Sequence, residues 1–175
     1  MEITQPGGHL DQMIRETRAH QVQLSSMADV KANMMLTVAS LMIPLVSRYL
    51  GDPRLGRAAF IMIGFCVLTV MLAAYAAMPK GHFGKRGKNE PDVKSPFFNI
   101  LFFGNFVYMD YGVYLREMEE MMNDPSRTYE AQLREIYTSG QYLSTQKFRY
   151  IRLAYMSFIA GICTSALVCG AGFII

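Results

Sequence analysis

The sequence predicts an all-α integral membrane protein with three transmembrane helices, the first and third extended into the cytoplasm as long stalk helices. Three observations predict it. Residues 58–78 and 153–175 contain no charged side chain, and each run is long enough to cross a hydrocarbon core, which takes about 20 residues of helix. A third apolar run, 34–47, is shorter; counted over 32–50 it reaches across, with Arg48 snorkelling at its far end. Finally, helical spacing leads into the first and third runs, with Gly140 alone breaking the second of those approaches.

Residues 1–8, with Pro6-Gly7-Gly8, read as a flexible leader. The polar first thirty residues offer no cleavage site behind an early apolar core, so no signal peptide is expected. From His9 the positions Leu10, Met13, Ile14, Thr17, Gln21, Leu24, Met27 and Ala28 recur at three and four. No Pro or Gly interrupts them before Pro44. The stalk is set at 9–33, projecting roughly 37 Å, and the first span at 34–50. Gly51-Asp52-Pro53 is a turn signal; an outer turn over 51–57 makes the first two spans an antiparallel hairpin. The second span covers 58–78 and stops at Pro79.

Residues 79–106 read as a basic loop followed by a Phe-rich segment. The loop KGHFGKRGKNEPDVKSP (80–96) is no phosphate loop: G-x-x-x-x-G-K-[ST] ending at Gly87-Lys88 needs Gly at 82 and Ser or Thr at 89, where His82 and Asn89 stand. It fits a polybasic segment beside anionic lipid. FNILFFGNF (98–106), with Phe98, Phe102, Phe103 and Phe106, is too short to span. It is either a plug in the stalk bundle or an aromatic platform for a nucleotide base.

Residues 107–150 read as two cytoplasmic helices broken at Asp124-Pro125-Ser126, with Ser126 as an approximate N-cap of the second. That helix continues into the third span, 151–175. Stalks of this length carry an apolar stripe that must pack on other stalks of the chain or of further subunits, so a homo-oligomer is expected.

Lys and Arg at the segment ends set the orientation. Arg15, Arg18 and Lys31 precede the first span, Lys80, Lys85, Arg86, Lys88 and Lys94 follow the second, and Lys147, Arg149 and Arg152 precede the third. The N-terminus is therefore placed in the cytoplasm and the C-terminus outside, despite Arg48, Arg54 and Arg57 in the connector. Membrane lipids are the first partner this implies.

Catalysis finds little support. His9, His20 and His82 pair with no Cys, Ser or carboxylate at a diagnostic spacing, and no zinc pattern or nucleophile elbow occurs. No enzyme, metal, resident cofactor or nucleic-acid partner is expected. Cys66, Cys163 and Cys169 lie in the apolar runs as small hydrophobes. The span interiors lack ionisable residues, which argues against a transporter. In the third span the small residues around Gly161, Ser165 and Gly170 favour close helix packing.

Asp29 and Lys31, two apart, point in different directions on their helix. Asp29 either pairs with Lys147, Arg149 or Arg152, which lie at similar depth, or faces water while Lys31 reaches lipid phosphate. Tyr114 and Tyr137, with Arg134, Lys147 and Arg149, supply rings and cations suited to a small phosphorylated base.

Several of these residues carry a resemblance. ADVKA (28–32) at the mouth of the first span, LFFG (101–104) after the second, Tyr114, and IYTSGQYLSTQKFRYIRLAY (136–155) running into the last span resemble the pattern of the bacterial Pycsar transmembrane effectors. The resemblance implies an antiphage effector of the inner membrane. It implies a functional partner, a pyrimidine nucleotide cyclase, and a cyclic nucleotide ligand, cyclic CMP or cyclic UMP, in response to which the effector impairs the membrane. The sequence departs from the family in two places. It shows no β-rich nucleotide-binding domain, and Asn99-Ile100 stand where a Pro is expected before Leu101. The alternative is a non-toxic scaffold whose stalks recruit a cytosolic partner.

Overall fold

The computed structural model describes residues 3, 7–78, 98–107 and 109–174. The basic loop and most of the leader lie outside the described residues, as do Tyr108 and Ile175. Helices take up 86% of the described residues, and no strand occurs among them. The order is α1 (Gly8–Ser47), α2 (Gly56–Ala77), α3 (Phe103–Phe106), α4 (Tyr111–Met122), α5 (Pro125–Tyr142), a π-helical turn (Leu143–Phe148) and α6 (Arg149–Ile174). Three helices are long and apolar enough to cross a membrane: α1, α2 and the continuous helix Pro125–Gly172. The fold is thus that of an all-α membrane protein.

Two compact units form. One contains the described residues of Leu24–Met78 and Tyr142–Ile175. Its core is a ladder of small side chains. Ala28 and Ala32 of α1 cluster with Ala76 of α2 and Ile151 of α6; Met35 meets Ala73 and Ala154; Ala39 meets Met62 and Cys66. Lipid tails are as apolar as the helices, so association rests on close backbone approach and dispersion, which small residues permit. Pro44 sits inside α1 without ending it.

The connector is tied by Asp52, whose Oδ1 accepts from the backbone N–H of Arg54 (2.8 Å) and Leu55 (2.9 Å). These bonds hold the Asp52 carboxyl below its ordinary value. Gly56 is required here: a Cβ would stand 2.7 Å from the Leu50 carbonyl oxygen, a backbone atom that cannot swing aside.

The other unit contains the described residues of Met1–Gln23 and Pro79–Gln141. Its helices start on aspartates. Asp110 Oδ1 accepts from Gly112 N at 2.8 Å and Val113 N at 3.4 Å, opening α4. Asp124 Oδ1 accepts from Ser126 N (2.9 Å) and Arg127 N (3.2 Å), opening α5. The sequence expectation had given this second cap to Ser126. Pro125 takes the first helical position, where its missing N–H costs nothing, and the cap moves two residues upstream, from Ser126 to Asp124. Ser126 Oγ instead accepts from Ile3 N at 3.2 Å.

Candidate functional site

The site is built on α1 of the span unit. Asp29 and Ser25 are four residues apart, so their side chains lie one above the other on one edge of the Ala28–Ala32 seam. Lys147 reaches them from the π turn. Its Nζ donates to Asp29 Oδ1 at 2.7 Å, to Asp29 Oδ2 at 2.8 Å and to Ser25 Oγ at 2.9 Å. An ammonium has three protons, and these three bonds use all of them. The Lys147 side chain is 12% exposed and that of Asp29 is 44% exposed. Water still reaches the carboxylate, whereas the ammonium has little beyond its α1 partners.

The π turn underlies this geometry. Widening one helical turn to an i→i+5 pattern re-aims the side chains it carries, and such turns cluster at functional sites. Here Leu143 at its start is buried, Lys147 turns to α1, and Ile151 and Ala154 follow in the apolar ladder. The Tyr150 ring packs on Tyr75 of α2, with centroids 4.4 Å apart and an edge-on tilt of 67°.

Of the other proposed positions in this unit, Lys31 and Arg149 are exposed. Gly161 is buried, and a Cβ there would stand 2.5 Å from Phe65 Cβ. Ser165 Oγ is buried without a hydrogen-bond partner among the described residues. A Cβ at Gly170 would meet nothing within 4 Å.

Phe103, Tyr114, Arg134 and Tyr137 belong to the other unit. Phe103 lies in the short α3. The Tyr114 ring packs on Phe106 at 5.4 Å. Arg134 pairs with Glu130 at 3.0 Å, one helical turn away. The Tyr137 ring is 67% exposed, its Oη accepting from Gln141 Nε2 at 2.8 Å. The eight ligand or coupling residues are thereby divided four and four between the units.

The same unit holds several contacts with no sequence motif behind them. Tyr129 Oη donates to Asp11 Oδ1 at 2.6 Å, and that bond to a carboxylate, with burial of the ring, raises the phenol above its ordinary value. Arg18 pairs with Glu135 at 2.9 Å. Gln21 Nε2 donates to the Ile136 carbonyl at 2.9 Å. Gly140 leaves that amide room, since a Cβ there would stand 3.2 Å from Gln21 Nε2.

Asn99 anchors the Phe-rich segment. Its Nδ2 donates to the Ala131 carbonyl (3.1 Å), its Oδ1 accepts from Leu101 N (3.0 Å), and its carbonyl accepts from Asn105 Nδ2 (3.1 Å). The residue that departs from the expected motif is therefore the one that ties the segment to α5. Ser25 and Asn99 were beyond sequence reasoning because each acts on a group distant in the chain.

In comparison with known families, a family model described as the Pycsar effector protein domain matches residues 12–175. No curated protein and no solved structure matches the chain.

Proposed function

The chain belongs to the Pycsar effector family, and from that premise we propose that a cyclic pyrimidine nucleotide sets it to impair the bacterial inner membrane. Membership itself makes the protein an antiphage defence effector with membrane helices that works within a cyclase-containing system. The family is not a known enzyme family. The nucleotide identity, cyclic CMP or cyclic UMP, the homo-oligomer, the cytoplasmic N-terminus and the outward C-terminus are part of the proposal.

The observation that carries the reading is the Lys147 ammonium, with all three protons committed to Asp29 and Ser25 of α1. In this unit it is a polar clasp between α1 and the turn leading into α6, set beside a ladder of apolar and small side chains. We assign it the role of a latch. While it is closed, α1 and the head of α6 keep one register. When it opens, Lys147 needs new acceptors and the small-residue ladder can slip, so that spans repack into a pore or a bilayer defect. A nucleotide drives this only as far as it binds the open state better than the closed one. Tyr137 offers an exposed ring on which a pyrimidine base can stack.

The test is release of a trapped dye from liposomes carrying the purified chain, with and without cyclic CMP or cyclic UMP. Nucleotide-dependent release is expected from the wild type, and nucleotide-independent release from Asp29→Ala. Dye retention under every condition overturns the reading.

A further inference from the structure

The head of α6 carries a second cationic feature, separate from the latch. Arg149 and Arg152 are three residues apart and so share one face of the helix. Both are exposed, and among the described residues neither guanidinium has a hydrogen bond or ion pair. Little acid is available to them. Over residues 24–78 and 142–175 the only carboxylates are Asp29 and Asp52; Lys147 occupies the first and the connector backbone the second. The same face of α6 continues directly into exposed apolar side chains, Leu153, Met156 and Ile159, which are 39%, 54% and 57% exposed. Two guanidinium forks above an uncovered apolar strip have the chemistry of a lipid site. The forks match phosphate oxygens bidentately, and the strip matches an acyl chain.

We propose that Arg149 and Arg152 bind the headgroup phosphodiester of an anionic phospholipid, whose acyl chain lies along Leu153, Met156 and Ile159. A cyclic nucleotide shares the phosphodiester but has nothing to cover the strip, which assigns the site to lipid. The assignment rests on α6 crossing a bilayer and does not require a nucleotide trigger. A lipid held there adds its own negative charge beside the latch without competing for Lys147, whose protons are committed.

The test uses the full chain, purified and delipidated in detergent, then titrated with phosphatidylglycerol or phosphatidylcholine. Bound lipid is counted by native mass spectrometry and the unfolding midpoint is followed in parallel. The wild type is expected to retain phosphatidylglycerol in preference to phosphatidylcholine and to gain stability from it. Arg149→Gln with Arg152→Gln should weaken phosphatidylglycerol binding about thirtyfold, as expected for two basic residues at a membrane surface, and leave phosphatidylcholine unchanged. The double Lys variant keeps the charge, loses the fork and should fall between. Equal retention of the two lipids by the wild type overturns the proposal without recourse to any variant. So does undiminished phosphatidylglycerol binding by the Gln variant. Displacement of phosphatidylglycerol from the wild type by cyclic CMP would make this a nucleotide site and overturn the lipid assignment. Dye release from liposomes is a separate readout, so the two proposals fail independently.

Discussion

The span unit and the unit formed by residues around α4 and α5 are held together by different forces. In the first, Ala28, Ala32, Ala39, Ala73, Ala76 and Ala154 line the helix contacts, and Lys147 pairs with Asp29 beside them. In the second, specificity comes from polar reach: Tyr129 to Asp11, Arg18 to Glu135, Gln21 to Ile136 and Asn99 to Ala131. The contrast follows from solvent. Between lipid-exposed helices there is no hydrophobic gain from contact, so fit decides. Away from the apolar runs, donors and acceptors lose water on burial and must find each other.

The comparison can be broken most severely at Gly161. Gly161→Ala places a Cβ against the root of the Phe65 side chain, not against a flexible end. A loss of about 3 kcal/mol is expected for such overpacking, read as a lowered unfolding midpoint in detergent and partly recovered by Phe65→Ala in the same chain. No change would show that this helix contact is loose.

Next is the latch. Asp29→Ala leaves a mostly buried ammonium short of two bonds, a cost of about 2 kcal/mol once the half-exposed carboxylate is allowed for. Asp29→Ala with Lys147→Met removes both partners and should be more stable than Asp29→Ala alone. If the double variant is the weaker of the two, the pair is not acting as a unit.

In the polar unit, Asp124→Ala removes the cap of α5 and should cost about 1 kcal/mol, measured by urea unfolding followed by helical circular dichroism. Asp124→Asn, which keeps the acceptor, should recover most of it.

The smallest effect appears only in alkali. Tyr129 in its neutral form donates to Asp11, which raises its folded pKa above the ordinary 10.0. Its contribution is therefore complete below that ordinary value and is lost as pH rises through the raised one. Stability should fall in this window, and Tyr129→Phe should remove that part of the fall. At the connector the sign reverses: Asp52, held below its ordinary 3.8, contributes above that value and loses its contribution as pH falls through the lowered one.

Much of the architecture was legible because periodicity and charge exclusion act locally. The charge-free runs 58–78 and 153–175 mark α2 and α6, and the uninterrupted three-and-four spacing marks α1. The N-cap of α5 lies two residues before the expected Ser126 because the Pro125 preference for the first helical position outweighs the serine behind it. The π turn left no trace, since a widened turn is maintained by what its side chains meet and not by their identity. At Asp29 the residues narrowed the choice to a few cations of similar depth and went no further. Their positions along the chain say nothing of which one approaches within hydrogen-bond distance.

Residue chemistry alone thus determined that the chain is helical, that three of its helices suit a bilayer, and where the charges that border the first and last spans stand. Those properties follow from the free energy of transferring each side chain and its backbone, which is a sum over local terms. Only the tertiary structure decided that Lys147, and not Arg149 or Arg152, takes Asp29, that Ser25 completes its coordination, and that Asn99 ties the Phe-rich segment to α5. Those choices depend on separations of 2.7 to 3.1 Å between groups remote in sequence. Such distances exist only after the helices have packed.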